Sequence, residues 1–306
     1  MTAPVQPILV MMSWRGGERL QRCLDSIART QLHFKRVVLS ITGTEDCDDM
    51  HRARAFQQMH PNVEVICTGR ELPTLQHQAY WVSYLQDSGV RPGDWIYWLA
   101  YDDEVRASGI DRITDASGNW SLQPGTAYFG PWAMRHESPD ALYAGPGTEQ
   151  LESWTSFPAQ GPTRLKVAEW IARQLRQPTY MQMSGSICSF ATFIGLRDDR
   201  PRKRGPMRIE MAAVATPSTT HVEEFPEPVS IIYGRSNSDR ASYGRAARRE
   251  DVHLVMWLGR YAIHHPGALP TLGMGYSHVI ANYAKALATR SALPAEEWRV
   301  RGSVTP

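Results

Sequence analysis

The amino-acid sequence predicts a doubly wound α/β sheet, mostly parallel, with helices on both faces and additional helices near the C-terminal end. Two observations carry this. In the first hundred residues four short apolar runs alternate with longer segments of helical periodicity. Each run is apolar nearly throughout, not at every second position, as in a strand covered on both faces. Right-handed crossovers between such strands give the doubly wound arrangement.

The elements follow in order. Pro7 to Met12 (PILVMM) reads as a buried strand, and Gly16-Gly17 punctuates it. Glu18 to Thr30 reads as a helix with Leu20, Leu24 and Ile27 on one face. Lys35 to Ile41 is a second strand, Asp46 to His60 a polar helix stopped by Pro61, and Asn62 to Cys67 a third strand. Thr74 to Ser88 is a third helix, ended by Gly89. Asp94 to Ala100 (DWIYWLA) is a fourth strand running straight into Tyr101-Asp102-Asp103-Glu104.

The second half is less regular. Thr126 to Met134 reads as a strand, 139–162 as an exposed excursion, and Arg164 to Leu175 as an amphipathic helix. Ser184 to Phe190 is a run of small and apolar residues suited to a tight strand beside a ligand. Arg197 to Arg204 is a charged loop, Met207 to Ala215 a helix, and Pro226 to Tyr233 a late strand. Asp251 to His264 and Tyr276 to Thr289 are helical. The expected organisation is a main domain over 1–245 and a helical extension over 246–306.

Composition bounds the function. The chain has 306 residues, 42% hydrophobic and 21% charged, which excludes a disordered, collagenous or rod-like protein. Lys+Arg is 33 against Asp+Glu 31, so no global basic field points to nucleic acid. The only lysines are Lys35, Lys166, Lys203 and Lys285, and an arginine-dominated basic set suits bidentate recognition of phosphate and carboxylate. Cys23, Cys47, Cys67 and Cys188 form no C-x-x-C pair and fit no zinc spacing. Charged residues interrupt every apolar stretch, so no membrane span is expected. The N-terminus has no basic start followed by an apolar block, and a cytoplasmic location is the expectation.

The chemistry concentrates at strand ends. In an open parallel sheet, ligands bind outside the carboxyl ends of the strands, where the winding direction reverses. The first strand ends in Ser13-Trp14-Arg15, the second in Ile41-Thr42-Gly43, the fourth in Tyr101-Asp102-Asp103-Glu104. Adjacent carboxylates at a strand tip repel unless a cation neutralises them. Mg²⁺ or Mn²⁺, held by one or two carboxylates plus substrate phosphates, would do so and would hold the charge of a departing diphosphate. The alternative is that Asp102 and Glu104 cap the helix that follows.

In these blocks the chain resembles the family 2 glycosyltransferases of the GT-A fold. The first is ILVMMSWRGGERLQRCLDSI, with Leu24-Asp25-Ser26-Ile27 at the family's L-x-S-I. The strongest is Gly93-Asp94-Trp95-Ile96 through Leu99-Ala100-Tyr101-Asp102-Asp103, against G-D-x-I-x-x-L-D-x-D-D. Pro228 to Tyr233 and then Gly234-Arg235-Ser236 stand at a late family block, and the likeness spans roughly 7–245. Ala100, Ile41-Thr42 and Ser236 depart from family acids and a family histidine.

The resemblance implies an inverting glycosyl transfer from a nucleotide-diphosphate sugar to a hydroxyl of a glycan, lipid-linked or protein acceptor. It places the metal at Asp102 and the donor at Ser13, Trp14, Arg15, Thr42 and Asp103. It puts the base that takes the acceptor proton at Glu210, with Asp198 and Asp199 in reserve. Trp132 and Trp154 are the acceptor-side candidates. A nucleotidyltransferase and a non-catalytic nucleotide-sugar-binding module are the other readings of the same scaffold.

Overall fold

A computed structural model describes residues 5–129, 132–136, 153–155, 164–176, 184–198, 218–226 and 228–234, with 263, 266–268, 270, 271, 273 and 277. Strands β1 (Ile8–Ser13), β2 (Arg36–Ile41), β3 (Val63–Cys67) and β4 (Trp95–Ala100) alternate with helices α1 (Glu18–Thr30), α2 (Asp48–Met59) and α3 (Thr74–Asp87). The four strands lie in the order β3-β2-β1-β4 and all neighbours are parallel. The chain therefore winds outward from β1 through β2 to β3, then crosses back to place β4 on the far side of β1. The reversal point lies between the tips of β1 and β4.

All six residues of β1 are buried, because the sheet is covered on both faces. Its side chains alternate between two cores. Leu9 and Met11 pack with Leu20, Cys23, Leu24 and Ile27 of α1 and Met50, Ala53 and Phe56 of α2. Ile8, Val10 and Met12 pack with Trp81, Val82 and Leu85 of α3. Trp81 donates its indole N–H to Met12 Sδ at 3.2 Å and meets Phe193 edge to face.

Beyond β4 the order departs from a purely parallel sheet. The eight-stranded sheet continues β10 (Ser186–Ser189), β6 (Thr126–Phe129), β11 (His221–Glu224) and β9 (Arg164–Lys166). β10 is antiparallel to both β4 and β6, β11 is parallel to β6, and β9 is antiparallel to β11. The sheet is mixed on this side and parallel on the other.

A second, four-stranded sheet runs β5 (Glu104–Val105), β12 (Ser230–Gly234), β7 (Trp132–His136), β8 (Ser153–Thr155). The strand expected over Thr126 to Met134 is thus two strands in two sheets. The helix expected from Arg164 begins at Val167 as α5 (Val167–Arg176), its first three residues being drawn into β9 by pairing with β11. A short helix α4 (Ala107–Ile113) follows β5, and α6 (Phe190–Asp198) follows β10. The predicted helix at Met207 to Ala215, most of both C-terminal helices and the boundary at 245/246 lie outside the described residues.

One buried base sits in this framework. His77 of α3 shares a 2.8 Å hydrogen bond with the Ser40 hydroxyl of β2. Burial lowers its pKa to about 4, a hydrogen bond from the ring to the Ser40 backbone opposing. The unfolded chain takes up this proton below about pH 6.5, the native chain only near 4. The neutral form's contribution is complete above pH 6.5 and disappears as the pH falls to 4, on the order of 3 kcal/mol. Urea midpoints measured from pH 7 to pH 4.5 should fall along that window, and His77→Gln should flatten the decline.

Candidate active site

The C-terminal ends of β1, β2, β3 and β4 share one edge of the sheet. The tips of β1 and β4 are tied where the Tyr101 N–H donates to the Met12 carbonyl at 3.1 Å. A turn closed by Asp103 N–H on the Ala100 carbonyl then presents Asp102 and Asp103. Both are almost covered, at 8% and 5% exposure, so the acids sit at the winding reversal and not in bulk water.

The three acids have different surroundings. Glu104 is drawn to α1, with Oε1 3.5 Å from Arg22 Nε and Oε2 3.6 Å from Arg29 Nη2. Burial pushes the Cys23 thiol of α1 well up, reinforced by the charges of Asp103, then Glu104, then Asp102. Burial also raises the Tyr97 phenol, with Cys23 and Asp103 adding to it. Asp103 therefore reaches the α1 side of the sheet more strongly than Asp102 does, and it reaches Tyr101 as well. Asp102 acts most on Tyr101, whose phenol is raised by burial first and Asp102 second, with Arg19 opposing. The charges of Asp49 and Asp103 also reach Tyr101, behind those of Asp102 and Arg19. The capping alternative does not fit, because α4 has Arg106 at its N-cap and no side-chain cap.

The turn after β1 is built around a residue that the sequence reading passed over. Asp49, in the first turn of α2 and 4% exposed, accepts the Ser13 hydroxyl on Oδ2 at 2.6 Å. It also accepts Gly16 N–H at 3.0 and 2.9 Å on its two oxygens, and Gly17 N–H at 3.1 Å. Successive backbone N–H groups make an anion-binding nest, here filled by the protein's own carboxylate. Gly16 is required at its position. A Cβ there would lie 2.7 Å from Leu20 Cβ, 2.9 Å from Ser13 Oγ and 2.9 Å from the Tyr101 ring.

The other expected donor residues occupy distinct places. Ser13 is 1% exposed and its hydroxyl is spent on Asp49. Trp14, by contrast, is 47% exposed and carries the Arg15 guanidinium 5.4 Å from its ring centroid. Arg15 reaches Glu71, beyond β3. Thr42 accepts the Leu72 N–H at 2.7 Å and donates to the Arg70 carbonyl at 3.4 Å, fastening the end of β2 to the loop after β3. Ser184 donates no charge but joins β4 to β10, its Oγ accepting the Ala100 N–H at 3.2 Å. The base candidates Glu210 and Asp199 lie outside the described residues, and Trp132 and Trp154 are placed only as positions on β7 and β8.

Among the described residues no three His, Cys, Asp or Glu side chains gather as a metal-binding group. A cation at Asp102 would therefore draw on one or two carboxylates and complete its shell from a diphosphate and water. That donor set suits Mg²⁺ or Mn²⁺ and does not suit zinc. No helix among the described residues is long and apolar enough to cross a membrane.

No family model and no curated protein matches the chain. Solved structures do. The mannosyltransferase PcManGT from Pyrobaculum calidifontis, solved with GDP-Man and Mn²⁺, is 12% identical over 98% of this chain and 85% of its own, with a TM-score of 0.51. S. aureus TarS 1-349 is 11% identical over 81% of this chain, with a TM-score of 0.48; the match spans 65% of the TarS chain. The likeness to PcManGT, with the parallel β3-β2-β1-β4 block, shows a GT-A-like fold.

Proposed function

We propose that the chain is a metal-assisted glycosyltransferase that moves a sugar from a nucleotide-diphosphate donor to an acceptor hydroxyl with inversion. The observation that carries this reading is the nearly covered Asp102-Asp103 pair at the reversal point between β1 and β4. PcManGT, which shares the fold, was solved with a nucleotide sugar and Mn²⁺, and that pairing supports the same ligand class here.

In this reading Asp102 holds the cation, and Asp103 stands beside it. A bound Mg²⁺ or Mn²⁺ supplies positive charge to the leaving diphosphate. Arg19, whose charge reaches Tyr101 beside Asp102, adds a protein cation. The acceptor oxygen attacks the anomeric carbon as the carbon–oxygen bond to the diphosphate breaks, and the diphosphate leaves with that electron pair. The acceptor proton passes to a carboxylate on the opposite side, assigned to Glu210 with Asp199 in reserve. Hexosyl transfer and a glycan, lipid-linked or protein acceptor belong to the same proposal.

A non-catalytic binding module is the second reading. It is favoured by Ala100 at an acidic position of the family and by the Thr42 hydroxyl, which is engaged with backbone at both ends. A thermal-shift panel of UDP, GDP, CDP and ADP, each with and without Mn²⁺, tests the first reading. Binding raises the melting temperature by mass action, by several degrees at ligand concentrations far above Kd. A shift with one nucleotide, only with metal, and turnover of the matching nucleotide sugar is the expected result. Binding without turnover across the donors would leave the binding module standing, and no shift in any condition would remove both.

A further inference from the structure

Arg15 is the only non-glycine residue with a positive φ among the described residues, at +51°. A left-handed arginine is strained and persists only where its surroundings hold it. What holds it is Asp49, which grips the Ser13 hydroxyl before it and the Gly16 and Gly17 amides after it. The consequence is a guanidinium carried out of the fold over the Trp14 ring. There Nε and Nη2 both donate to one oxygen of Glu71, at 2.9 and 2.7 Å.

The strand order gives this contact its meaning. β2 lies between β1 and β3, and the three run parallel. Arg15 follows the end of β1 and Glu71 follows the end of β3, so their ion pair spans the tip of β2. It crosses the same edge on which Asp102 stands. Both partners are open to water, with side-chain exposures of 70% and 52%, so the pair is weak and exchangeable. Two N–H donors converging on one carboxylate oxygen is also a geometry that a phosphate oxygen can take over.

We propose that Glu71 is a resident competitor for Arg15: it holds the guanidinium across the tip of β2 until the phosphate group of an arriving diphosphate ligand displaces it. The strained turn keeps the arm extended, and the carboxylate occupies it in the ligand-free protein. This deepens the nucleotide-sugar reading and rests on it for the site. The residue it adds is Glu71, as a contact that must open.

The test compares the full-length chain with Glu71→Gln, Arg15→Gln and the double variant. Affinities for inorganic pyrophosphate and for the nucleotide found by the thermal-shift panel are measured by calorimetry with Mn²⁺ at low and high salt. Removing the competing charge should tighten both ligands about two- to fivefold, and the gain should shrink as salt rises. Arg15→Gln should weaken both about tenfold, and adding Glu71→Gln to it should then change nothing. The unliganded melting temperatures should stay within about 2 °C of one another, because the pair is exposed. Unchanged or weaker binding in Glu71→Gln overturns the proposal. So does an equal gain in the Arg15→Gln background, or a failure of both probes to bind wild type and Glu71→Gln. Pyrophosphate binding that follows Arg15 and Glu71 without any sugar turnover keeps the proposal and removes the transferase reading.

Discussion

Asp49→Ala is expected to lower the unfolding free energy by about 3 kcal/mol or more, measured by urea denaturation at pH 7. Asp49 receives the Ser13 hydroxyl, the Gly16 N–H and the Gly17 N–H in a nearly water-free position. A hydrogen bond to a charged group contributes about 1.5–3 kcal/mol, and a buried donor left alone costs its full desolvation. Truncation leaves three donors without their acceptor, so the loss exceeds that of an ordinary surface change. Asp49→Asn keeps one oxygen for the glycine amides and offers an NH₂ to the Ser13 oxygen, so it should recover much of the loss. Ser13→Ala and Asp49→Ala should be non-additive, because they share one bond. Amide exchange should speed up at Gly16 and Gly17 while the β1 amides stay protected. A penalty below about 1 kcal/mol would mean that the turn holds itself.

This residue shows where the amino-acid order stops being legible. The parallel half of the sheet can be read directly, because strands covered on both faces must be apolar throughout, as PILVMM and DWIYWLA are. The strand tips can be read for the same reason: Asp102 and Asp103 interrupt such a run. Asp49 is hidden in Asp46-Cys47-Asp48-Asp49, where every acid looks like a charge placed near a helix start. The available signal was the register of α2, since Asp49 shares its buried face with Ala53 and Phe56. Glu104 is a second case. It belongs by order to the acidic tip, yet Arg22 and Arg29, seven residues apart on α1, draw it away. The reversal of direction at β10 was not legible either. Strand direction is decided by which neighbour supplies hydrogen bonds, and Ser184 to Phe190 would read the same in either sense. Likewise, β5 has two residues and exists only through its pairing with β12.

Asp102→Asn is expected to abolish the metal-dependent part of nucleotide binding and to lower sugar transfer about a hundredfold or more. Replacing the carboxylate with an amide keeps the shape and removes the charge that a hard cation requires. A divalent ion on the leaving diphosphate contributes several kcal/mol of transition-state charge stabilisation, and each 1.36 kcal/mol is a factor of ten in rate. The comparison that gives this result its force is Asp103→Asn. Asp103 is the principal charge acting on the buried Cys23 thiol and also acts on Tyr97, both on the α1 side. At Tyr101, beside the β1–β4 tip, Asp103 acts less than Asp102 does, so its amide variant should reduce the Mn²⁺-dependent thermal shift less than Asp102→Asn does. The two adjacent acids would then separate into a ligand for the cation and a residue that shapes the floor beneath it. If Asp102→Asn retains full metal-dependent binding while Asp103→Asn loses it, the roles are exchanged. If chelator and both variants leave turnover intact, transfer at this strand tip proceeds without a cation and the charge on the diphosphate falls to Arg19 and Arg15.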